Sequence, residues 1–189
     1  MENLSLIADF ATAFGVFVAM ATLYVQTRQN SRALGATLLR DFERQFESEE
    51  MLRVRLETAK FLINRKTEDA AVSYCADLLD FFDVLGAYHN RNSLDTEMTW
   101  VLFYYWFGNY WYLLKNDASQ YEQLAGGVSF YQDAERLYKT LTRFSKKKRR
   151  LPDTEEQYFT AERLNNFLQE EIAQCSGRLR VLENSVVEN

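Results

Sequence analysis

Hydrophobic positions fall into two kinds of run along this chain. Between Leu4 and Val25 they are nearly continuous, with Asp9 the only charge. Beyond Gln26 they recur every three or four residues, the period of an amphipathic helix. This second pattern gives an apolar edge at Leu34, Leu38, Leu39, Phe42 and Phe46. It then predicts a helix from Ser48 to about Asn64 and another, capped by Thr67, to about Asn90. On that third helix Val72, Cys75, Ala76, Leu79, Phe82 and Leu85 share one face. Asp95 opens a fourth helix to about Lys115, Gly126-Gly127 is a break, and a fifth helix runs from about Ser129 to Phe144. In Leu151-Pro152-Asp153-Thr154-Glu155-Glu156, Asp153 can cap a last helix and Glu156 can complete a capping box. That helix is expected to reach about Cys175, with residues 176–189 a flexible tail.

The expected architecture is all-α: a transmembrane helix over 1–30, a helical stalk over 31–47, and a cytoplasmic helical bundle over 48–175. A fragment starting near Ser48 should then keep the whole packed domain. One proline and seven glycines in 189 residues leave few places where a helix must stop.

The first run has the length of a membrane span. As a helix, Leu4–Val25 extends about 33 Å against a hydrocarbon core of about 30 Å. Its ten Leu, Ile, Val and Phe residues contribute roughly −3 to −6 kcal/mol to insertion. Asp9 opposes this, but it stands near the end of the span, where a charge costs less. The start Met1-Glu2-Asn3 lacks the basic residues of a secretory signal. Positive charge follows the span at Arg28, Arg32 and Arg40, which places the N-terminus outside and the rest in the cytoplasm, at the inner membrane. The alternative is a buried helix of a soluble bundle.

Side chains on this helix sort by size. Ser5, Ala8, Ala11, Thr12, Gly15, Ala19, Thr22 and Gln26 share a stripe about 120° wide, with Phe10, Phe14 and Phe17 opposite. Ala11, Gly15 and Ala19 form a small-residue ladder of the type that brings membrane helices close, so they are the candidate helix–helix interface of a homo-oligomer. Ser5, Thr12, Thr22 and Gln26 are the candidate polar groups lining any central pore.

Further along, Thr99–Leu114 holds nine aromatic residues in sixteen, too short for a second span and with four tyrosines. Trp100, Phe103, Phe107 and Trp111 read as a core stripe, and the tyrosines between Trp100 and Tyr112 as a rim or a surface for a protein partner. Lys146, Lys147, Lys148, Arg149 and Arg150 form the densest basic patch. It could be a linker between helices, a contact with anionic lipid, or a contact with nucleic-acid phosphates. The net charge of −5 argues against nucleic-acid binding by the surface as a whole.

Little here suggests chemistry. With His89 as the one histidine, two-histidine metal motifs are excluded within a chain, and no phosphate-binding glycine loop is present. Cys75 and Cys175 lack metal-type spacing and read as reduced thiols. Asp77, Asp80 and Asp83 recur every third residue and could either gather a hard cation or form a solvated face. No enzyme activity, metal or cofactor is expected.

"YVQTRQNSRAL", Tyr24 to Leu34, closing an apolar span, resembles a group of uncharacterised bacterial single-span membrane proteins of a domain-of-unknown-function family. A second stretch, Leu78 to Leu114, matches the same plan: a helix ending in a polar turn, an acidic start, then an aromatic helix. The plan is similar to that of the small transmembrane accessory protein of type VI-B CRISPR systems. The resemblance implies a multi-subunit membrane pore built by the N-terminal helix, a HEPN-like cytoplasmic domain, and a role in bacterial anti-phage defence. HEPN ribonucleases carry Arg-x(4–6)-His, but here the nearest arginine upstream of His89 is Arg65, so ribonuclease activity is not expected. The other functional expectation is a membrane-tethered adaptor that binds protein or RNA.

Overall fold

A computed structural model describes the backbone of residues 2–64, 69–124, 130–149 and 155–187. Side chains are described within these ranges except at 2–19, 21, 28, 31–32, 69–73, 116–124, 149, 155–156 and 186–187. Seven helices make up the described chain: α1 (Glu2–Phe46), α2 (Glu49–Asn64), α3 (Asp69–Asn90), α4 (Thr96–Leu124), α5 (Gln132–Arg149), α6 (Glu155–Tyr158) and α7 (Ala161–Val187). The protein is all-α, with no strand among the described residues.

Short polar side chains set the helix starts. Ser48 Oγ accepts from the Met51 amide at 3.2 Å and opens α2. Asp95 Oδ1 accepts from the Met98 amide at 2.9 Å and opens α4. Between α3 and α4 the chain turns through Asn92, whose φ of 58° is a left-handed conformation that asparagine tolerates. The Thr67 and Asp153 caps and the Gly126-Gly127 break lie outside the described residues.

Rings fill the core. Phe46 of α1 meets Phe81 of α3 at 5.4 Å and Phe103 of α4 at 5.8 Å, and Phe82 meets Phe107 at 4.7 Å. A smaller cluster, Leu52, Leu56, Cys175 and Leu179, joins α2 to α7. Two close backbone approaches need glycine. A Cβ on Gly35 would stand 2.6 Å from the Ser93 carbonyl oxygen, and one on Gly86 would stand 2.4 Å from that of Asp133.

Several boundaries differ from those expected. The stalk reading of 31–47 is corrected: Gly35, Leu39, Phe42 and Phe46, spaced four, three and four apart, are buried against the bundle. The packed unit therefore begins near Gly35, not Ser48, because this stripe supplies rings that no other element replaces. α4 continues to Leu124 and α5 through Arg149, so Lys146–Arg149 are helical rather than a linker. The expected helix from about 153 to 175 is divided at Phe159-Thr160, where buried Phe159 stacks on Tyr112 at 4.6 Å and Thr160 caps α7. α7 runs on to Val187 where a tail was expected, since Leu179 is buried beyond Cys175.

Backbone geometry makes 2–46 one continuous helix. Among the described residues no helix is long and apolar enough to cross a membrane. Most side chains of the expected span, Leu4–Val25, lie outside the described residues.

Candidate functional site

Two regions of the molecule invite a functional reading, and α1 belongs to both. Its outer part stands away from the bundle. Every side chain described between Met20 and Leu34 is exposed, and five of them, Met20, Leu23, Tyr24, Val25 and Leu34, are large and apolar at 50–68% exposure. Four of these fall within six residues, spread round more than half of the helix, and such a concentration is uncommon in a surface that faces only water. Thr22 and Gln26, two of the candidate pore-lining residues, are exposed on this part. The side chains of Ser5, Ala11, Thr12, Gly15 and Ala19 lie outside the described residues.

The inner end of α1 meets a buried charge cluster that local sequence patterns did not reveal. Arg55, on α2, is 1% exposed, as is Glu171, on α7. Arg55 Nε and Nη2 each donate to a different oxygen of Glu171 at 2.9 Å. Trp106 Nε1 and the Tyr110 hydroxyl, both on α4, donate to the same carboxylate at 2.9 Å. Arg55 Nη1 donates to the Phe46 carbonyl, the last of α1, at 3.3 Å, and the guanidinium lies 4.1 Å above the Phe46 ring. Four helices therefore converge on one ion pair in which each Arg55 nitrogen and each Glu171 oxygen has a hydrogen-bond partner, with Glu47 a further 3.6 Å contact of Arg55.

Electrostatics follow from that burial. Burial opposes the Arg55 charge, but the hydrogen bonds and negative charge of Glu171 outweigh it, and its pKa is raised. Burial, then the Glu171 charge, pushes the Tyr110 phenol well above its ordinary range. Burial likewise raises the Cys175 thiol to about 11, although Arg55 works the other way. A thiol this far up is a poor nucleophile at neutral pH. Cys75 and Cys175 are both free and buried, in different clusters. The cluster looks like a structural clamp, with no open position for a reacting group.

The remaining sequence candidates are scattered. Phe103, Phe107 and Trp111 are buried and Trp100 half-buried, as the core reading of the aromatic stripe expected. Tyr104 and Tyr110, expected at a rim, are buried as well, while Tyr105 is exposed. The Tyr105 hydroxyl donates to Glu170 at 2.8 Å, and burial together with that carboxylate raises its pKa to about 12. Within the basic patch, Lys148 pairs with Glu97 at 2.8 Å, Lys147 is exposed and Lys146 half-buried. The Arg149 side chain and all of Arg150 lie outside the described residues. His89 is buried at the end of α3 with Nε2 3.0 Å from Thr96 Oγ1, and burial lowers its pKa. The aspartates separate: Asp83 Oδ1 caps α5 by accepting from the Ala134 amide at 2.9 Å, while Asp77 and Asp80 face a groove beside α2. Among the described residues no group of three His, Cys, Asp or Glu is placed to hold a metal ion.

No family model, curated protein or solved structure matches the chain.

Proposed function

We propose that this is a non-enzymatic, membrane-anchored helical protein that self-associates through α1. The observation that carries the proposal is the outer part of α1, a helix continuous with the bundle that holds Met20, Leu23, Tyr24 and Val25 out in solvent. In this reading Leu4–Val25 crosses the inner membrane once with the N-terminus outside, and the bundle from Gly35 onward lies in the cytoplasm. Ala11, Gly15 and Ala19 form the helix–helix contacts, while Ser5, Thr12, Thr22 and Gln26 line any opening at the centre. A pore-forming role in anti-phage defence and a HEPN-like relationship for the bundle rest on the sequence resemblance alone. The absence of catalysis is supported by His89, buried and held against Thr96.

Gly15→Leu against Phe14→Leu tests the proposal. Overpacking at a close helix contact costs about 1–3 kcal/mol per site, so Gly15→Leu should abolish the multimer in mild detergent while Phe14→Leu keeps it. Equal multimer fractions for the two variants would remove α1 self-association. Release of the wild type from membranes by alkaline carbonate would remove the span.

One observation favours an adaptor as the second reading. Met98, Val101 and Tyr105, at 44–65% exposure, form an apolar row on the outward face of α4 that could seat a partner protein.

A further inference from the structure

The end of α1, α2 and α3 enclose an open groove of about 330 Å³ with an apolar floor of Phe42, Met51, Val54 and Phe81. Its rim is acidic, with Glu50, Asp77 and Asp80, and no basic side chain lines it. Glu50 and Asp77 have no ion-pair partner among the described residues. Burial, and then the Asp77 charge, raises the Asp80 pKa against a hydrogen bond from Tyr131. Carboxylates crowded over a greasy floor suit a long cationic side chain, which lays its methylenes on the floor and its charge on the rim.

The same molecule carries such side chains elsewhere. Arg136, Lys139, Arg143 and Lys147 are exposed along one stripe of α5, spaced three, four and four residues apart. Arg136 and Lys139 pair within α5, with Asp133 and Glu135. Arg143 and Lys147 have no ion-pair partner among the described residues.

We propose that the acidic groove of one copy receives the Arg143–Lys147 stripe of a second copy, a head-to-tail contact between neighbouring bundles. Two different patches that complement each other make a heterologous interface, which closes into a ring or continues as a filament. Self-association by α1 alone leaves the bundles without a mutual contact; this inference deepens that reading by supplying one, and the two fail separately.

The test is site-directed crosslinking of the full-length chain in mild detergent. Asp77→Cys and Arg143→Cys proteins, carrying different tags, are mixed and treated with a short bis-maleimide; both native thiols are buried. The expected product is a mixed dimer, formed in at least tenfold excess over either same-variant dimer. Adding Glu50→Lys to the first protein, or Lys147→Glu to the second, should cut its yield several-fold, as should raising salt from about 0.05 to 0.5 M. No mixed dimer, or same-variant dimers in equal amount, overturns the head-to-tail contact whatever Gly15→Leu shows. A mixed dimer that persists in the Gly15→Leu background upholds the groove contact even if α1 association fails.

Discussion

Arg55 and Glu171 stand 116 residues apart in the chain and share two hydrogen bonds of 2.9 Å in a site that water does not reach. The pair ties α2 to α7, and the Phe46 carbonyl brings in α1. Removing Glu171 leaves Arg55 only the longer contact with Glu47, 3.6 Å from Nη1, and removing Arg55 leaves Glu171 buried without a cation. Glu171→Ala should therefore destabilise the folded chain by about 3–5 kcal/mol. Arg55→Met with Glu171→Leu, which replaces both charges by apolar side chains, should recover only part of that loss, because Trp106 Nε1 and the Tyr110 hydroxyl lose the carboxylate they donate to. Urea denaturation of the wild type, the single variant and the double variant measures both. A single variant as stable as the wild type would mean that solvent enters the cluster.

The inward stripe of α1 sets where the fold begins. Leu39, Phe42 and Phe46 are 0%, 8% and 2% exposed. Losing one such side chain typically costs about 2–5 kcal/mol, so losing all three approaches the whole stability of a domain. A fragment starting at Ala33 should give a cooperative thermal transition. One starting at Ser48 should aggregate or show none. Circular dichroism and size-exclusion chromatography of the two fragments decide it, and a well-folded 48–189 fragment would refute the assignment of α1 to the core.

Two helical glycines should respond in opposite directions. Gly86→Ala drives a methyl group against the Asp133 carbonyl and should cost about 1–3 kcal/mol. Nothing lies within 4 Å of a Cβ at Gly177, so Gly177→Ala should stabilise α7 by up to about 1 kcal/mol. The melting temperatures should fall and rise accordingly; a shared sign would contradict the packing at one of the two positions.

His89 predicts a pH dependence. Burial lowers its pKa below the ordinary 6.5, against the pull of Asn90 and Asp95. On acidification the unfolded chain takes up this proton before the folded chain does, so the unfolded form gains. Stability should be fully present above pH 6.5 and decline below it. Urea midpoints at pH 7.5 and 5.5 should differ less for His89→Gln than for the wild type. An equal difference would assign the pH dependence to other groups.

How much of this was legible beforehand depended on whether the cause was local. Ser48 and Asp95 announce their helices because a cap is a matter of three residues. Phe103, Phe107 and Trp111 declare a core face because the helical period aligns them. Arg55 and Glu171 gave no clear sign: Arg53 and Glu57 stand two residues either side of one, and Glu170 directly precedes the other. Nothing in the local pattern paired them, because the pairing comes from how α2 and α7 cross. The row Leu39, Phe42 and Phe46 was visible as an apolar edge; what it lay against is a tertiary fact. Asp77, Asp80 and Asp83 looked like one set, yet three-residue spacing drifts round a helix and sends Asp83 to α5 and the others to the groove.

Because α1 is unbroken from Glu2 to Phe46, the directions in which its two ends face are locked together. Gly15 and Gly35 are twenty residues apart on it, which turns one about 200° from the other round the axis. The bundle sits on the Gly35 side. In an assembly whose Gly15 faces point inward, every bundle must then hang on the outer flank of its helix, with the middle left uncovered. In such an assembly the domains would stand round the perimeter like the staves of a cask.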